Sequence, residues 1–113
     1  MSAEKLDKVL YVLGHVHPPE NTNQWERIRV TIAESSTHTP AERLKEALEV
    51  LEGTMTEKNK DQWAHIRATS KQILAANHGF EEGVAALCHL LAGIHPTDAN
   101  FEEWAQIRAA ASS

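Results

Sequence analysis

Three short phrases hold the residues of this chain best suited to act together: Trp25-Glu26-Arg27-Ile28-Arg29, Trp63-Ala64-His65-Ile66-Arg67 and Trp104-Ala105-Gln106-Ile107-Arg108. A guanidinium is a planar fork that pairs bidentately with a carboxylate or phosphate. Arg29, Arg67 and Arg108 in a row would therefore suit acidic groups of a binding partner. Structural roles compete with that one. Each arginine stands four residues after its tryptophan, so it is placed to stack on the indole. It is also placed to bond carbonyls at a helix end, or one of Glu46, Glu49, Glu81 and Glu82 on a neighbouring helix. The position two after each tryptophan differs among the copies: Arg27, His65 and Gln106. Divergence there marks an outward face free of shared packing, where binding specificity would be carried. Trp25, Ile28, Trp63, Ile66, Trp104 and Ile107 are read as the repeated core, since Trp and Ile three apart share one helix face.

Other chemistry is thinly supported. Of the seven histidines, only His15 and His17 are spaced to converge as metal ligands, and a metal site wants three or four. No Glu-x-x-His pair is present, which argues against a di-iron carboxylate bundle. The lone cysteine, Cys88, cannot form an internal disulfide and falls in the apolar register shared by Leu10 and Leu48, so it is expected to behave as a small buried hydrophobe. Neither a Gly-rich phosphate loop, a Gly-x-Ser-x-Gly elbow nor a His-Glu-x-x-His helix occurs. We expect no catalytic residues, no metal and no cofactor, and hence no enzyme.

The elements that position these residues are legible. Each tryptophan phrase extends upstream to Asn-x-x-(Gln/Glu), with Asn21, Asn59 and Asn100 three residues before Gln24, Gln62 and Glu103. That spacing resembles a capping box and predicts a helix start. Ahead of each lies a second helix with apolar residues at i, i+3, i+4 and i+7: Leu6, Val9, Leu10, Leu13; then Leu44, Ala47, Leu48, Leu51; then Val84, Leu87, Cys88, Leu91. Thr39-Pro40-Ala41-Glu42 is a strong helix start, and Asn77-His78-Gly79 a stop. Helices are expected near 3–14, 22–35, 40–53, 60–76, 80–93 and 101–112. No segment alternates with period two over strand length, so the fold class is all-α. Three tandem helix hairpins, roughly 3–37, 40–78 and 79–112, make one domain spanning 1–113, either a short α-solenoid or a compact six-helix bundle. The fifth helix is apolar on more than one face and is expected at the centre. The first, similarly apolar at a chain end, makes a homodimer surface an option.

Composition bounds the partners. The 113 residues carry 11 Lys and Arg against 16 Asp and Glu, a net charge of -5. That disfavours nucleic acid and anionic membrane as partners, because both attract positive charge. No apolar run approaches the ~20 residues of a membrane span, and the N-terminus lacks a signal-peptide pattern. The expectation is a cytoplasmic, non-catalytic protein–protein interaction module: an adaptor, an assembly factor, or an inhibitor or immunity-type protein that covers a basic surface of its partner. The alternative is a small-molecule or metal carrier using the histidines and the Trp/Arg stripe.

Overall fold

The computed structural model describes residues 2–96 and 99–113. Among these residues six α-helices follow one another: α1 (Ser2–Leu13), α2 (Thr22–Glu34), α3 (Pro40–Glu52), α4 (Lys60–Ala75), α5 (Phe80–Ala92) and α6 (Phe101–Ser112), with a 3-10 turn at Ser35–Thr37. Among the described residues there is no strand, and no helix is long and apolar enough to cross a membrane.

Local signals act as their chemistry requires at α3. The Thr39 hydroxyl accepts from the Glu42 backbone N–H, and the Glu42 carboxylate accepts from the Thr39 N–H, with Pro40 opening the helix. At the end of α4, Asn77 takes the left-handed conformation (φ 56°), which asparagine tolerates better than most side chains.

The asparagines of the tryptophan phrase depart from the capping box that their spacing suggests. Asn21 and Asn59 are left-handed, with φ of 56° and 57°, and Asn100 lies at φ -95°, ψ 7°; none caps its helix through its side chain. Side-chain capping needs an extended residue at this position. Here the backbone carbonyls of Asn21, Asn59 and Asn100 accept the first helical bonds, from Trp25, Trp63 and Trp104, and the side chains are released for other work.

The hairpins close on themselves instead of stacking into an open solenoid. α2 packs between α1 and α3, α4 between α3 and α5, and α6 between α5 and α1, while α1, α3 and α5 approach one another directly. The outcome is a six-helix ring with approximate threefold internal symmetry. Its extents, 34 × 25 × 24 Å, have one long and two nearly equal short axes, as that symmetry demands. The Lys5 ammonium donates to the Ser113 carbonyl across the seam between last and first helices.

The three indoles meet inside the ring. Their centroids are 5.6, 5.7 and 6.2 Å apart with interplanar angles of 75°, 67° and 62°, so each pair is edge-to-face. That is the arrangement favoured by the aromatic quadrupole, worth about 0.5–1.5 kcal/mol per pair beyond burial. All three are buried, as are Ile28, Ile66 and Ile107 one turn later. α5 is the most thoroughly enclosed of the odd helices, with Gly83, Val84, Leu87, Cys88, Leu90 and Leu91 buried. On α1 the ring absorbs Leu6, Val9, Leu10 and Leu13, and leaves Tyr11 outside.

Candidate functional site

Arg29, Arg67 and Arg108 are half-buried and point back into their own hairpins. Each donates from Nη1 to a loop carbonyl just beyond the preceding odd helix: Arg29 to Val16 at 2.9 Å, Arg67 to Thr54 at 3.0 Å, Arg108 to Ile94 at 2.7 Å. Val16, Thr54 and Ile94 are themselves buried. A buried carbonyl left unpaired costs stability, so each guanidinium ties a loop to the helix that follows it. Of the structural roles open to these arginines, carbonyl bonding is one that all three fill.

Asparagine does the complementary stitching between hairpins. Asn21 Nδ2 donates to the Lys58 carbonyl at 3.0 Å, and the Lys58 N–H donates to Asn21 Oδ1 at 3.1 Å. The Glu20 N–H donates to Asn100 Oδ1 at 3.3 Å. One element of the phrase thus holds a hairpin shut, and another holds neighbouring hairpins together.

Arg27, His65 and Gln106 are exposed, on α2, α4 and α6 respectively. Those helices sit in separate gaps of the ring, so the three residues face three directions. His15 lies against the Tyr11 ring, with centroids 4.1 Å apart, and its Nδ1 is 2.6 Å from the Tyr11 carbonyl oxygen. His17 is exposed. Among the described residues no three His, Cys, Asp or Glu side chains gather as metal ligands. Burial pushes the Cys88 thiol up from its ordinary pKa, against a smaller lowering by Lys5, which keeps the sulfur protonated and a poor nucleophile.

The outer surface carries three notches that the internal symmetry relates. Each forms where an odd helix meets the start of the next odd helix. The first is lined by Asp7 and Leu10 of α1 and Arg43 of α3. The second is lined by Lys45 and Leu48 of α3 and Gly83 of α5. The third is lined by Ala85 and Cys88 of α5 and Lys5 of α1. Shape is shared; chemistry is not. An Arg43–Asp7 ion pair spans the first, and in the third Lys5 turns to the chain end at Ser113. The second places Lys45 where the first has Asp7 and glycine where the first has Arg43. Its floor is apolar, built from Leu44, Leu48, Ile73, Leu74 and Phe80, and its open volume of about 370 Å³ is close to the 400 Å³ of the first.

Sequence reasoning missed this notch because three separate elements build it. One signal was available: Gly83 interrupts a helix that is otherwise rich in Ala and Leu. A Cβ there would come within 2.9 Å of Leu44 Cδ2, so glycine lets α5 approach α3 closely. No protein-family model matches the chain, and neither a curated protein nor a solved structure matches it.

Proposed function

We propose that this protein is a non-catalytic interaction module, acting as an adaptor, assembly factor or inhibitor that binds another protein through the outer faces of its helical ring. The observation that carries this reading is a division between inside and outside. Trp, Ile and Arg repeat three times in equivalent buried or half-buried places. The exposed positions beside them, Arg27, His65 and Gln106, differ in every copy, as do the side chains that rim the three notches. Packing demands sameness only of the interior, so the exterior is free to be specific. With a net charge of -5, the partner's contact surface is basic, which speeds encounter and makes association salt-sensitive. The cytoplasm is the compartment proposed with this reading, consistent with a free, buried cysteine.

The test is covalent capture in the native host. A photo-crosslinking residue is placed in turn at Arg27, His65 and Gln106, and adducts are identified by mass spectrometry. One protein captured stoichiometrically, and lost from the uncrosslinked complex at high salt, is the expected result. Failure to capture any stoichiometric partner from all three faces would overturn the proposal.

A further inference from the structure

The threefold symmetry lets the molecule serve as its own comparison. In the first notch the guanidinium of Arg43 lies across the opening, paired with Asp7, and only 18% of the Arg43 side chain is exposed. The equivalent positions of the second notch are Gly83 and Lys45. One half of the cross-notch pair is missing there, and the half that remains has the opposite sign. The first notch is lined by an aliphatic stem ending in a charge that pairs with the opposite wall, whereas no side chain reaches across to Lys45 from Gly83. The second has a wider apolar floor, because α4 runs on as helix to Ala75, where the corresponding stretch after α2 is the short 3-10 turn. That extension supplies Ile73 and Leu74 as a wall. His78, also at the rim, faces Glu82 at 3.3 Å.

We propose that the notch between α3, α4 and α5 receives a side-chain pair from the partner protein: a large apolar residue on the floor beside a carboxylate that pairs with Lys45. This rests on the interaction-module reading and adds to it one locally basic, apolar socket on an acidic surface. The socket fixes the partner's register, as complementary charge placement does at other interfaces.

Two short synthetic amphipathic helices serve as probes, both with Leu and Phe on one face, flanked by Glu in one and by Lys in the other. Amide spectra of the isotope-labelled full chain report where they bind. The Glu peptide is expected to shift Lys45, Leu74 and Phe80 saturably, and the Lys peptide to bind about fivefold more weakly, the size of one exposed ion pair. Lys45→Glu should invert that order while leaving the helical spectrum unchanged. Equal binding of both peptides, shifts confined to other faces, or an order that survives Lys45→Glu would each overturn the socket. The two proposals separate in the host. A stoichiometric partner still captured by Lys45→Glu as well as by the wild-type chain sinks the socket and leaves the module standing. No partner for the wild-type chain sinks both.

Discussion

At the scale of single residues, the informative positions are those that break the repeat. Ser70 is fully buried and its hydroxyl has no hydrogen-bond partner, whereas the equivalent positions hold Ile32 and Ala111. An unpaired buried hydroxyl costs roughly 1–3 kcal/mol, and alanine already fits this register in α6. Ser70→Ala should therefore raise stability by about 1 kcal/mol in urea unfolding; a loss of similar size would show that the hydroxyl is satisfied in solution. His38 gives the pH counterpart. Its pKa is raised by the hydrogen bond to Glu46 Oε1 at 2.6 Å, opposed by desolvation and reinforced by the charges of Glu46 and Glu42. A raised folded-state pKa means stabilisation that is complete below the ordinary histidine value and fades as pH rises through the folded one. The melting temperature of wild type should exceed that of His38→Gln at mildly acid pH, with the gap closing toward alkaline pH. A gap that widens with pH would contradict the pairing.

The arginine-to-carbonyl tie belongs to the scale of elements. It gives one residue type the same structural work on three helices, since each hairpin has a buried residue past its first helix whose carbonyl accepts from the guanidinium. Arg67→Met keeps the aliphatic stem and removes only the donor. The variant is expected to lose about 1.5–3 kcal/mol, the worth of a hydrogen bond from a charged group. Unchanged stability with impaired partner binding would instead return the arginines to the surface role that their spacing first suggested. The asparagine phrase teaches a related lesson. Asn three before Gln or Glu is the spacing of a cap, yet Asn21 and Asn59 adopt a left-handed backbone, and Asn21 bonds the loop of the next hairpin. Local pattern identified the helix start correctly and its chemistry incorrectly, because the competing partner lies 37 residues away.

For the whole molecule, closure of the ring has a consequence that an open stack of hairpins would not share. α6 packs on α1, and the Lys5 side chain reaches Ser113, so the chain ends are neighbours. A circular permutant with the ends joined by a short Gly/Ser linker, and new termini in the turn between α2 and α3, should retain a cooperative all-helical fold. Circular dichroism with thermal melting would check it. Loss of cooperative unfolding, with only partial helix remaining, would mean that the α6–α1 seam contributes little and the ring is effectively open.

Much was legible without coordinates. The six helices start and stop within a residue or so of where periodicity and turn residues put them, and Trp25, Trp63 and Trp104 fall in the core as a triplicated apolar stripe implies. These are properties of local spacing: a 3.6-residue period and a proline or glycine act over one or two turns. The choice between solenoid and ring, the inward turn of the arginines, and the socket beside Lys45 were decided only by tertiary structure. Each depends on groups from different hairpins meeting, and a symmetric repeat read in one dimension does not say whether its last copy returns to its first.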